Sequence, residues 1–175
     1  TFQELVQKGL GGFLVRNMES YGILDTMGLT SRIVLDANIY TMNNRAEAFW
    51  MKKGILGDTV PLELNAKELV HRNNKNSELT VYGYTPMMVS VQCVQKTMDH
   101  CNHACVQYVL KDRYQKEFRG VCSCEFCYNT IYNTLPTSLL KEKEKAEKLG
   151  VKAYRLSFTT ETQQETEKIV RAFVD

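Results

Sequence analysis

Residues 32–54 read Arg32-Ile33-Val34-Leu35-Asp36-Ala-Asn38-Ile-Tyr-Thr-Met-Asn-Asn-Arg-Ala46-Glu-Ala-Phe49-Trp50-Met-Lys-Lys53-Gly54, and this stretch decides the fold class. Its first five residues form a short run rich in β-branched side chains that ends on polar groups, as a buried strand does. Ala46, Phe49, Trp50 and Lys53 then recur at helical spacing, and Gly54 is a natural helix stop. One strand and one helix make half of a parallel βαβ unit, so the fold depends on whether the pattern repeats.

It repeats on both sides. Upstream, Gly12-Phe13-Leu14-Val15 leads through Arg16-Asn17 into a helical segment. Downstream, Thr59-Val60-Pro61-Leu62-Glu63 is a third strand, weakened by Pro61, with Asn65 as N-cap of a helix from Ala66 to Val70. Leu79-Thr80-Val81-Tyr82-Gly83 is the fourth. Near the end, Ser138 to Leu149 reads as a charged amphipathic helix, with Leu139, Leu140, Ala146 and Leu149 as its apolar stripe and Gly150 as its stop. The strand Ala153 to Phe158 and a helix from Thr162 to Val174 follow. Five strands at this spacing predict an α/β fold, a partial TIM-type (β/α) barrel or an open sheet. We divide the chain into βα units over 1–84, a cysteine-rich insertion over 85–136 and a closing helix–strand–helix over 137–175, all one domain.

Composition excludes some partners. Net charge is +2, which supplies no general drive toward nucleic acid or anionic membrane. No apolar run approaches the roughly 18 residues of a transmembrane helix. The start, Thr1-Phe2-Gln3-Glu4-Leu5, has no basic leader and no initiator Met, so we expect a cytoplasmic piece of a longer polypeptide. A barrel missing strands exposes sheet edges, and homodimerisation of the piece is therefore expected.

Several strands end on polar residues: Arg16 and Asn17, Asp36 and Asn38, Glu63 and Asn65, Arg155 and Ser157. In a (β/α) barrel the C-terminal strand ends bear the site, which makes Arg16, Asp36, Glu63 and Arg155 catalytic candidates. Helix caps and loop polar groups would also place such residues there.

The insertion holds all six cysteines, between Cys93 and Cys127. A secreted disulfide scaffold spreads its bridges over a small, core-poor fold, whereas a local cluster without a secretory leader reads as a metal site. About 50 residues without structure would be improbable inside a compact domain, so something must hold the segment together. Val106 to Leu110 and Phe118 to Val121 read as a small hairpin within it. Cys124-Glu-Phe-Cys127 is a tight knuckle able to present two sulfurs to one ion. Cys93 and Cys101, seven residues apart, complete the assigned ligand set, with Cys105 and Cys122 as alternates. The looser first half is less typical of zinc and is compatible with an iron–sulfur cluster, and spacing alone does not separate them. His100 and His103 are either zinc ligands or exposed loop histidines. A nucleophilic cysteine would need a positioned base, and no such pairing is visible.

Glu78-Leu-Thr-Val-Tyr-Gly83-Tyr-Thr-Pro86-Met-Met-Val-Ser90-Val-Gln-Cys93 resembles the signature region of the collagenase-like peptidases, peptidase family U32. Glu78, Gly83 and Cys93 fall in register with that pattern. Thr80 replaces its aromatic residue, Pro86 its first cysteine and Val91 a later glycine. Leu62 to Leu69, Leu110-Lys-Asp-Arg113, Cys127 to Asn133, Arg155-Leu-Ser-Phe158 and the final helix are similar to longer bacterial members. The resemblance covers nearly the whole chain and corresponds to the later part of the family domain. It implies a barrel scaffold and either peptidase (hydrolase) activity or oxygen-independent hydroxylation of tRNA, ribosomal RNA or ubiquinone precursors with an iron–sulfur cluster on four cysteines. By this resemblance Cys93 is a ligand, and Cys101, Cys124 and Cys127 complete the set. No His-Glu-x-x-His or Gly-x-Ser-x-Gly motif supports the peptidase. Arg16 and Arg155 offer guanidinium forks to a small carboxylate substrate or to RNA phosphate.

Overall fold

The computed structural model describes residues 2–99 and 101–174. In chain order its elements are α1 (Phe2–Gln7), β1 (Phe13–Val15), α2 (Met18–Thr26), β2 (Ile33–Leu35), α3 (Asn44–Lys52), β3 (Gly57–Thr59), α4 (Ala66–Leu69) and β4 (Ser77–Gly83). They continue with β5 (Pro86–Ser90), α5 (Val94–Thr97), β6 (Gln107–Lys111), β7 (Glu117–Ser123), β8 (Tyr128–Tyr132), β9 (Thr137–Ser138), α6 (Lys143–Glu147), β10 (Ala153–Ser157) and α7 (Gln163–Val174). The protein is mixed α/β, with a parallel-strand sheet ordered β1-β2-β3-β4-β10 and an antiparallel sheet ordered β5-β8-β7-β6. Among the described residues no helix is long and apolar enough to cross a membrane.

The chain separates into two compact units, and the division falls within β4 and β10. The first comprises the residues up to Thr80 with Glu142–Arg155. Its strands pair parallel, Val15 with Leu35, Leu35 with Asp58, and Asp58 with Ser77. Side chains alternate across a strand, so Val15, Ile33 and Leu35 share a face, where they bury with Tyr21, Leu24, Trp50 and Ile55. The helices on that face begin on asparagines. Asn17 accepts from Ser20 N, Asn43 from Arg45 N and Ala46 N, and Asn65 forms a reciprocal capping box with Glu68. Gly54 follows α3 at φ +83°, a left-handed conformation that ends the helix without a Cβ clash.

Two elements differ from the sequence reading. The third strand is Gly57–Thr59 rather than Thr59 to Glu63. Val60 N makes a last bond to Glu78 O at 2.8 Å, and Pro61 has no N–H with which to continue. The charged segment from Ser138 is not one helix. Thr137 and Ser138 pair antiparallel with Gly83 and Tyr82, and Leu139 N bonds Val81 O, so the sheet takes the residues that would have opened the helix. Only Lys143–Glu147 are α-helical.

The second unit comprises Val81–Lys141 and the residues from Leu156 onward. Its insertion is held by the four-stranded antiparallel sheet. The expected hairpin is present as β6 and β7, and Asp112 closes its turn by accepting from Tyr114 N and Lys116 N. Opposite Tyr108, Gly120 leaves room for the phenol ring.

Candidate metal centre and a charged row

Strand pairing sorts the six cysteines. Cys122 sits inside β7 with no exposed surface, opposite Asn129 of β8. Asn129 is equally buried; its Nδ2 donates to Gln92 O at 3.1 Å and its Oδ1 accepts from Tyr108 OH. That bond draws the end of the β5 segment over β7, and the Cys93 and Cys122 sulfurs stand 3.8 Å apart. Beyond β7 the chain makes a 3-10 turn, Cys124–Phe126, and Cys127 adopts φ +53°. Cys127 N bonds Cys124 O at 3.2 Å, which is the tight knuckle expected from the spacing. Cys124 N also donates to Cys105 Sγ at 3.4 Å. Cys101, Cys105 and Cys127 are exposed and Cys124 is half-buried.

Electrostatics register the crowding. Burial first, then the charges of Cys101, Cys127, Cys105 and Cys93, raise the Cys124 thiol above the ordinary cysteine range. Cys122 is pushed up to about 11, chiefly by burial and then by Cys93. Cys93 shifts the other way, mainly through the Lys96 backbone N–H beside its sulfur. Metal ligation would need these sulfurs as thiolates. Among the described residues, no three His, Cys, Asp or Glu side chains already converge on a single point as an ion would require. Thiol sulfur is the donor type that zinc and iron–sulfur centres use.

Of the assigned ligands, Cys101 and Cys127 are exposed and Cys124 is half-buried, while Cys93 lies against Cys122. Cys105, an alternate, is the one bonded to the knuckle. His103 takes φ +55°, and His100 lies outside the described residues.

In the first unit the register sets Thr59 beside Glu78, and continues one position past β1 and β2 to Arg16 and Asp36. Arg16 Nε bonds Asp36 Oδ2 at 2.9 Å, Arg155 Nη1 bonds Asp36 Oδ1 at 2.9 Å, and Arg155 Nη2 pairs with Glu78. Three of the four catalytic candidates therefore meet, and Glu63 does not: it is exposed, in the turn after β3. Glu78 takes its place. The sequence carried a signal for it in the resemblance, and its partner Arg155 is among the strand-end candidates. Thr59 Oγ1, in the same row, is buried and has no hydrogen-bond partner among the described residues.

On the other face of β3 lies a second ion pair, Asp58 with Arg72, both fully buried. Arg72 also donates to Thr41 O, Asn74 Oδ1 and Ser77 Oγ, and Ser77 Oγ donates to Asp58 Oδ1 at 2.6 Å. With its polar atoms partnered, the pair is a structural clamp tying the α4 loop to the sheet. An open groove of about 510 Å³ between α4 and α6 is floored by Ala66, Val70 and Leu149 and rimmed by Lys67, Lys145, Lys148 and His71.

Compared with protein-family models, curated proteins and solved structures, the chain matches none.

Proposed function

We propose that this chain is part of an iron–sulfur protein of the collagenase-like U32 type. In this reading it serves oxygen-independent hydroxylation of an RNA or a small carboxylate, in the cytoplasm, rather than peptide hydrolysis. The observation that carries the proposal is the Cys124–Cys127 knuckle at the end of β7, with Cys124 N bonded to the Cys105 sulfur. Cys101, Cys105, Cys124 and Cys127 are the favoured thiolates; this set departs from the resemblance by taking Cys105 in place of Cys93, which is buried against Cys122. The cluster, when bound, would supply one-electron chemistry.

The rest of the fold is consistent with that role. The parallel βα units are read as part of a (β/α)₈ barrel, in which strand ends carry the site. Arg16 there, held to Asp36 through Nε, offers its terminal nitrogens to a carboxylate or phosphate, while Arg155 is engaged by Asp36 and Glu78. The lysine-rimmed groove offers further positive charge to an RNA backbone.

Zinc is the second reading. Cys101-x3-Cys105 and Cys124-x2-Cys127, separated by 18 residues, match the spacing of a two-knuckle structural zinc site. Single Cys→Ser variants test the ligand set. Replacement of Cys101, Cys105, Cys124 or Cys127 is expected to abolish stoichiometric metal, and replacement of Cys93 or Cys122 to leave it in place. Unchanged metal in C124S and C127S would defeat the proposal.

A further inference from the structure

The metal reading uses four thiols and leaves two. Cys93 and Cys122 are both buried, and their sulfurs are in van der Waals contact at 3.8 Å. Both are held there by the backbone. Cys122 lies within β7, paired to Asn129, and Asn129 fixes Gln92, the residue before Cys93. On the other side, Thr97 N and Thr97 Oγ1 both bond Cys93 O at 3.0 Å. A disulfide places its sulfurs about 2.0 Å apart, so the pair needs to close by roughly 1.8 Å, within reach of modest side-chain rotation. Neither sulfur takes part in the knuckle contacts, which join Cys105, Cys124 and Cys127.

We propose that Cys93 and Cys122 form a redox-active dithiol, a modification site that a low-molecular-weight disulfide converts to an intrachain disulfide without use of the metal centre. The proposal rests on the assignment of Cys101, Cys105, Cys124 and Cys127 as the metal ligands. Cys93 is 9% exposed and Cys122 not at all, so Cys93 meets the reagent first. The Cys93 thiol gives up its proton and its sulfur attacks the small disulfide. A mixed disulfide forms and one small thiolate leaves. Cys122 then gives its proton to that thiolate, attacks the Cys93 sulfur and expels the second small thiol. Two protein thiols are oxidised and one small disulfide is reduced to two thiols. The new bond closes a 30-residue loop from Cys93 to Cys122 that contains Cys101, Cys105 and the β6–β7 hairpin. Closing it restricts the unfolded chain, so the melting temperature of the oxidised protein rises by roughly 5–10 °C.

The test uses the full chain, prepared anaerobically with its metal and then treated with oxidised glutathione. Intact mass, fragment-ion mapping and metal content are read together. The expected result is a mass lower by two hydrogen atoms, a cross-link joining Cys93 to Cys122, and unchanged metal. C93S and C122S keep the metal and lose the cross-link. Differential alkylation of the wild-type protein answers the same question if a variant fails to fold: oxidation should mask Cys93 and Cys122, and reductant should release them. A cross-link between any other pair, no cross-link, or metal loss in C93S overturns the dithiol. Metal loss in C93S still leaves a metal protein with a different ligand set. A Cys93–Cys122 cross-link in a protein that binds no metal upholds the dithiol and removes the metal reading.

Discussion

Arg155 Nη1 bonds Asp36 Oδ1 at 2.9 Å across 119 residues of sequence, joining the last strand of the parallel sheet to the end of its second. The same guanidinium holds Glu78, and all three side chains are largely withdrawn from solvent. Charge-assisted bonds in such a setting contribute more than surface pairs. Arg155→Met is expected to cost about 1–3 kcal/mol in urea denaturation. Combined with Asp36→Asn, the loss should fall short of the sum of the single effects, because the second change removes a charge already left unpaired. Strict additivity would show that the two residues do not act together.

Asp58 and Arg72 make the sharper stability prediction, since neither reaches solvent. Arg72→Met strands a buried carboxylate and should destabilise by about 3–5 kcal/mol. Replacing both, as Asp58→Leu with Arg72→Met, should recover a large part of that loss in the same denaturation assay. A cost below about 1 kcal/mol for Arg72→Met would contradict the clamp.

Gly120 faces the ring of Tyr108 across the β6–β7 pair, and a Cβ there would lie 2.3 Å from two ring carbons. Gly120→Ala must displace the ring and disturb the bond from its hydroxyl to Asn129. We expect a loss of about 1–3 kcal/mol. The same substitution in a Tyr108→Ala background should cost little, and thermal melts of the four proteins decide it.

Glu165 supplies a pH dependence. Its Oε2 accepts from Thr162 N at 2.7 Å and its own N–H bonds Thr162 Oγ1, the reciprocal cap of α7. The Thr162 bonds first, with Arg119 adding to them, hold its carboxyl below the ordinary glutamate range. A depressed folded value means the stabilisation is complete above the unfolded pKa of about 4.3 and is lost as pH falls through the folded value. Wild type should therefore melt above Glu165→Gln near about pH 6, and the gap should close by about pH 2.5. A gap that does not change with pH would rule out the ionised cap.

The parallel unit was largely legible because its strands and helices repeat with distinct periods: Ile33 to Leu35, Ala46 to Lys53 and the final helix all lie close to where the pattern puts them. Pro61 misled in a specific way. Read as strand interior, it carried the strand end to Glu63, whereas the ladder stops at Val60 and the row falls on Thr59 and Glu78. β5 offered no alternation to read, because Pro86 through Val89 are all exposed. β8 lies between β7, its neighbour in the chain, and β5, far back in sequence, and depends on pairing with both. The concentration of thiols was visible in the cysteine positions. Their sorting was not, since it follows from Cys122 standing opposite Asn129, and a register between strands is not written in spacing.

A thiolate-bound cluster at the end of β7 stands or falls on iron, acid-labile sulfide and zinc analysis with an absorption spectrum of anaerobically prepared protein. Stoichiometric iron and sulfide are expected, with broad visible absorbance that bleaches on reduction. Protein reconstituted anaerobically with iron and sulfide that still binds neither would contradict it, and stoichiometric zinc in their place would assign the site to structure instead of redox chemistry.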